Sequence, residues 1–391
     1  MKRRNFLATA TGAMAAPFMV NAHGAAATQP RYTACVIGDT KQGGYGHSLH
    51  LVWALRDDVD VVALADPDEA GRMKRAQETK AARTYGDYRE MLEKEKPDLV
   101  AVGPRWTIHH REYLLACAEV GAHGILEKPL TPDLAEADEV LAAMRAKNLK
   151  WSIAFNFRAA PEVAHAKKLL FEEGLIGEIL EVRSRGKEDH RAGGEDLIVL
   201  GIHIFDAMRY FLGAPQWCMS HIAVDGRAAT LDDVRAATES LGPIVGDSIQ
   251  AMWGFPNGVP GYFSSRKNNA PTPKRWGIDI LGTGGVATIR MDSVPLVRYI
   301  AAPDWATADI QNGWQYLPDR PAPVKRAPEQ VAHYAPIIDD LIAAVTEDRE
   351  PTVSLKDGLA ATEMIQSVFQ AHVARERIAL PLKKRDHPLV P

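Results

Sequence analysis

Between Tyr32 and Phe155, short apolar runs alternate with longer segments whose apolar residues recur at helical spacing. "YTACVIG", "DVVALAD", "DLVAVG", "HGILEK" and "KWSIAF" read as strands, being short, rich in branched residues and almost continuously apolar. "SLHLVWALRD", "PDEAGRMKRAQETKAA", "HREYLLACAEVG" and "PDLAEADEVLAAMRAKN" read as the helices between them. Strands that are apolar throughout need cover on both faces, so the alternation predicts βαβ units. About six strands would form one parallel, doubly wound sheet.

The rhythm changes after Arg158. A helix ("PEVAHAKKLLFEEG") and a strand ("EILEVRSRG") lead through a polar loop to a helix over "DLIVLGIHIFDAMRYFLG". From about 217 to 300 strand-like pieces dominate, and their alternation of apolar and polar residues suits an open, mostly antiparallel sheet covered on one face. Residues 302–330 read as irregular connection, and the tail returns to helix in "YAPIIDDLIAAVTED" and "LKDGLAATEMIQSVFQAHVARER". The fold expected is α/β: a Rossmann dinucleotide-binding domain over 31–156, then an α+β domain for substrate binding and oligomerisation over 157–391.

The first thirty residues fit neither domain. Lys2, Arg3 and Arg4 are followed at once by Phe6 and Leu7, and an apolar stretch without one acid runs to Val20. That layout predicts a removable twin-arginine signal over 1–30, cleaved after Ala22 or near the alanines at 25 to 27. The stretch is too short for a membrane anchor, which needs roughly 20 apolar residues. It implies the twin-arginine (Tat) export machinery as a partner, and periplasmic or secreted localisation. Loss of the signal moves the formal charge from −4 to about −7, so nucleic acid is an unfavoured partner. Cys35, Cys117 and Cys218 are odd in number and widely spaced, which predicts buried thiols rather than disulfides.

The first strand runs into "IGDTKQGGYGH". Gly38, Gly44 and Gly46 would let the backbone approach a dinucleotide diphosphate, with Asp39 in the same turn, although the spacing departs from G-x-G-x-x-G. The second strand ends in Asp66, where an acid accepts from the adenine ribose and disfavours the extra phosphate of NADP. NAD is therefore the expected cofactor, with NADP open because Lys41, Arg72 or Lys74 could receive a phosphate.

The segment "VGPRWTIHHREYLLACAEVGAHGILEKPL" resembles the Gfo/Idh/MocA oxidoreductases, the group of glucose-fructose oxidoreductases and inositol dehydrogenases. The resemblance rests on Pro104 after the fourth strand, His110 eleven residues before Gly121, and Glu127, Lys128 and Pro129 in succession. It extends through "FNFRAAPEVAHAKKLL", "EGLIGEI", "GIHIFD" and "ILGTGG" to the closing "SLKDGLAATEMIQSVFQAHVARERIALPL". It implies Pro104 and His110 among the cofactor-binding residues, Glu127 and Lys128 against the nicotinamide, and Lys128 and His203 managing the proton of a carbohydrate hydroxyl. It also implies a homo-dimer or tetramer built on the sheet at 217–300.

The family usually carries an aspartate four residues before His203, and here that position is Val199. On a continuous helix Asp196 would share a face with Val199 and His203 and substitute from one turn back, against the alternative of capping the helix. Arg158, Lys187, His190 and Asp206 are candidate substrate-binding residues, with domain support or a solvated loop as alternatives for the first three. A His203/Asp206 pair alone is too few ligands for a metal, and none is expected.

An exported enzyme meets no free nicotinamide pool, and the twin-arginine route carries folded proteins, so the nucleotide is expected to be tightly bound. The function expected is hydride transfer between a sugar carbinol and that nucleotide. The alternatives are a redox-neutral glycoside-cleaving enzyme, lyase or epimerase working by transient oxidation, and a non-catalytic periplasmic nucleotide- or sugar-binding protein.

Overall fold

The computed structural model describes residues 31–267, 275–291, 294–305 and 313–390, so the predicted signal over 1–30 lies outside the described residues. The first sheet has six parallel strands: β1 (Tyr32–Ile37), β2 (Val59–Ala65), β3 (Arg83–Tyr85), β4 (Leu99–Val102), β5 (His123–Leu126) and β6 (Trp151–Ile153). Their spatial order is β3-β2-β1-β4-β5-β6, so the winding reverses between β1 and β4. A crevice opens at the carboxyl ends of strands where the order reverses. The apolar runs are buried most completely in β4, where all four residues are fully so, while β2 is buried only from Ala63 to Ala65. β3 was not singled out in the sequence because it is three residues long and begins with an exposed arginine.

Helices α1 (Glu69–Thr79), α2 (Tyr88–Glu95), α3 (His110–Val120) and α4 (Leu134–Ala146) connect the strands. Asp68, Asp87 and Asp133 cap three of them by accepting from backbone amides of the first turn. The helix expected after the glycine turn is instead a 3₁₀ helix, Leu49–Leu55. It is entered through Ser48 in the left-handed region, and every residue except Ala54 is buried, so packing on all sides rather than an amphipathic stripe fixes it.

Short helices α5 (Asn156–Ala159) and α6 (Pro161–Lys167) lead to β7 (Ile179–Arg185). β7 sits in a ten-stranded sheet, paired antiparallel with Gly277–Gly282 and parallel with Pro260–Arg266. All other neighbours in that sheet are antiparallel, as expected from the alternation between 217 and 300. In β8 (Trp217–Val224), Cys218 and Ile222 are buried while Met219 and His221 are exposed, which marks the covered and open faces. All three cysteines are buried and free.

The helix expected over "DLIVLGIHIFDAMRYFLG" is broken at Leu200 into α7 (Gly194–Val199) and α8 (Gly201–Leu212). The tail forms α9 (Ala335–Glu347) and α10 (Leu355–Ala374). Although α9 follows the second sheet in sequence, Ile337, Ile338 and Leu341 share a core with Val36, Val52 and Trp53 of the first domain. No described helix is long and apolar enough to cross a membrane.

Candidate active site

Strand β5 delivers Glu127 and Lys128 to the crevice. Glu127 is fully buried and accepts from the backbone amide and Nδ1 of His47 and from the amide of Lys128. Burial opposes its charge, but His47 and Lys128 outweigh that and hold the carboxyl at about 2. Gly46 lies directly on this carboxylate at φ +57, and a Cβ there would collide with Glu127 and with the carbonyl of Gly103. The glycine turn is thus seated on the end of β5, which sets the distance between the nucleotide loop and Lys128.

Lys128 is 4% exposed, and its Nζ donates to the carbonyl of Val199 at 2.9 Å. Burial depresses its pKa to about 8, with Glu127 and Glu239 pulling up and Arg191 and Arg105 pushing down. Val199 stands where the resemblance led an aspartate to be expected, and its carbonyl, the last of α7 and at the negative end of that helix, receives the ammonium. A carbonyl holds a lysine without the full charge of a carboxylate, which suits a group that must lose its proton near neutrality.

His203 comes from the first turn of α8, between the rings of Phe155 and Trp276 at 5.9 and 6.2 Å. Burial, then Lys128 and His47, drive its pKa well below the ordinary value, so the imidazole is neutral. Its Nδ1 is buried without a partner among the described residues, as is Nε1 of Trp276. Lys128, His203 and Trp276 line one cavity of about 540 Å³, within the size range of small-molecule sites.

Several expected contacts are used elsewhere. Asp196 does not partner His203: the break at Leu200 takes it off the helix of the histidine, and its carboxylate accepts from the amides of Lys187 and Glu188 and from the Ser265 hydroxyl. It caps the loop that carries Lys187 into the cavity wall, and burial raises its pKa. Arg158 and Asp206 do not line the cavity either. The Arg158 guanidinium bridges Asp206 at 2.9 Å and Asp357 at 2.7 Å, tying α5 and α8 to the start of α10. His190 is largely exposed beside Asp189 and lies outside the cavity lining.

At the far end of the crevice, Asp66 is fully buried, and Thr40, Tyr45 and the amide of Asp68 all donate to it. It braces the glycine loop instead of presenting oxygens to a ribose. The recess beside it, about 150 Å³, is lined by Gly38 and Asp39 with Tyr88 and Tyr113 and by Glu112, and Asp39 is the carboxylate of the glycine turn there. Burial and the neighbouring Asp66 raise its pKa, against the pull of the Lys41 and Gln42 amides. Pro104 and His110 act as a structural pair: the His110 ring is fully buried, with its nitrogens against the carbonyls of Pro104, Pro129 and Leu130. The residues fit a dinucleotide, with a recess at one end of the crevice, a glycine turn in the middle and a cavity with unpartnered ring nitrogens at the other.

The cavity also receives Arg191, from the polar loop of Lys187 that the sequence placed over the crevice, and His47, Asn156, Glu239, Gln330 and His333, which the sequence did not single out as cavity residues. His47 follows the glycine turn directly, and that adjacency was the one local signal available. The others come from separate segments with no motif of their own.

A doubly wound sheet with a buried lysine at the carboxyl end of β5, joined to an open mixed sheet, defines an NAD-binding oxidoreductase. The chain belongs to the Gfo/Idh/MocA family: residues 35–155 match its NAD-binding Rossmann fold and residues 168–380 its C-terminal alpha/beta domain. It is similar to a levoglucosan dehydrogenase of Pseudarthrobacter phenanthrenivorans, 30% identical over 58% of this chain and 63% of that one. It is also similar to a myo-inositol 2-dehydrogenase of Thermotoga maritima, 27% identical over 51% of this chain and 64% of the relative. Both matches span slightly less than two thirds of the relatives' length. Among solved structures, levoglucosan dehydrogenase in complex with NADH and levoglucosan superposes with a TM-score of 0.71 at 20% identity, covering 90% of this chain and 99% of that one.

Proposed function

We propose that the chain is an exported NAD-dependent sugar dehydrogenase. The observation that carries this reading is Lys128, buried at the strand end, held by a carbonyl, and brought to about 8 beside a neutral His203. NAD, when bound, supplies the ring that accepts hydride. The glycine turn and Glu127 would hold its diphosphate and nicotinamide ends, and the Asp39 recess its adenosine. Lys128 in its amine form takes the hydroxyl proton of the sugar, and His203 presents a ring nitrogen to the same hydroxyl or its neighbour. The dehydrogenases of levoglucosan and myo-inositol among its relatives support a cyclic polyol as substrate.

The test is NADH formation with levoglucosan, myo-inositol and methyl glucosides. Conversion of the retained NAD to NADH, one per sugar oxidised and up to one per chain, is the expected result, with further turnover once a second sugar is present to be reduced; sugar turnover without any NADH would favour transient oxidation.

Export rests on Arg3 and Arg4 followed by Phe6 and Leu7. Changing both arginines to lysine should leave the protein in the cytoplasm, still carrying nucleotide. Protein recovered from the periplasm should retain about one nucleotide per chain through dialysis. Retention over an hour needs a dissociation rate below roughly 10⁻⁴ per second, or a Kd near 10⁻¹⁰ M at an ordinary association rate. Periplasmic protein that is empty and inactive until NAD is supplied would contradict tight retention.

A further inference from the structure

Among the described residues lining the cavity, Glu239 is the single carboxylate, facing a wall that otherwise carries Lys128, Arg105, Lys187 and Arg191. Its oxygens stand 3.8 Å from Arg105 Nε and 3.7 Å from Arg191 Nη1, beyond hydrogen-bond reach, and Arg191 is already engaged by Asp189 at 2.7 Å. The Glu239 carboxylate thus retains its capacity to accept.

Its placement is built. Glu195 of α7, 1% exposed, accepts from the amide and hydroxyl of Thr238 and from the amide of Glu239 itself. A buried carboxylate spent on three donors of one loop fixes that loop, because removing it would leave the donors unsatisfied. The same short helix ends at the Val199 carbonyl that holds Lys128. One six-residue helix therefore sets both the amine and the carboxylate of the cavity.

We propose that Glu239 binds the substrate, accepting from two neighbouring hydroxyls of an uncharged sugar, and that Glu195 is its positioning residue. The proposal rests on the sugar dehydrogenase reading. A carboxylate takes adjacent hydroxyls through its two oxygens, the guanidinium groups of Arg105 and Arg191 can donate to the hydroxyl oxygens, and Trp276 offers an apolar face to the ring. A carboxylated sugar would meet the Glu239 charge directly.

The test combines calorimetric titration of NADH-loaded full-length protein with NMR titration of the Lys128 ammonium. The ligands are levoglucosan and myo-inositol, with D-glucuronate as the charged counterpart. The groups facing Lys128 are Glu127, Glu239, Arg191, Arg105 and His203. Glu239→Gln should weaken the uncharged sugars at least about tenfold, the scale of hydrogen bonds to a charged group, and should lower the Lys128 pKa by removing a neighbour that raises it. Glu195→Ala should do both in part, and Glu195→Gln, which keeps the accepting oxygen, should restore both. Unchanged affinity and unchanged Lys128 titration in Glu239→Gln would overturn the assignment of Glu239 alone, as would tighter binding of glucuronate than of the uncharged sugars. If the wild type binds none of the sugars while holding NADH, the sugar reading and this assignment fall together.

Discussion

Lys128→Met should lower turnover by two to four powers of ten, the range for loss of a positioned proton-transfer group, while the protein still folds and binds NADH. The substitution keeps an unbranched apolar stem in a site that is 4% exposed, so the core around Pro129 and Leu130 has no reason to rearrange. The nucleotide loop is seated on Glu127, which the change leaves in place. What disappears is the amine against Val199. In the wild type the sugar-oxidising rate should rise with pH through about 8, because the amine form accepts the proton and burial has brought its pKa to about 8. The residual rate of Lys128→Met should lack that limb. Turnover within a few-fold of wild type would remove Lys128 from the mechanism.

The second large effect is on stability. Arg158→Met should cost about 3 kcal/mol, the scale of removing one partner from a buried ion pair. Its guanidinium is 15% exposed and bonds Asp206, Asp357 and the carbonyl of Thr352, so its loss strands carboxylates on α8 and α10, with Arg209 at 3.6 Å from Asp357 as partial compensation. Burial already pushes Asp206 up to about 7, against the pull of Arg158. Because that native value lies above the unfolded value near 3.8, the native state holds the proton more tightly between them, and stability falls as pH rises across that window. Without the guanidinium the native value rises further, so the deficit of the variant should be larger near pH 8 than near pH 6. Urea unfolding at the two pH values checks both parts. A variant as stable as wild type but with a raised KM for sugar would instead make Arg158 a substrate ligand.

The parts of the fold visible in the sequence are those where local pattern and burial coincide. Strands of a covered parallel sheet are nearly continuously apolar, so β1, β2, β4 and β5 announce themselves despite Thr33, Asp60 and His123. β3 is too short and too polar to do so. The break at Leu200 has little local signal, since Gly201 alone does not distinguish a helix from two helices; Glu195 on Thr238, Asp196 on Ser265 and the ammonium of Lys128 on Val199 fix it through partners far away in sequence. Lys128 and His203 were legible because a motif carries them. Asp66, Asp196, Arg158 and Asp206 were chemically plausible at a site, yet each is consumed by partners that only the fold brings close. Glu239 was invisible for the same reason, standing in a loop with no motif and reaching the cavity through Glu195.

Hydride transfer from a sugar carbon to the nicotinamide is the central claim, and isotope transfer tests it most directly. Protein incubated with NAD and with levoglucosan or myo-inositol deuterated at the ring carbons should yield NADH carrying one deuterium on a single face of the nicotinamide ring, with Lys128→Met yielding far less. Binding of NAD and sugar together, with no deuterium reaching the nucleotide from any of these sugars, would contradict the account.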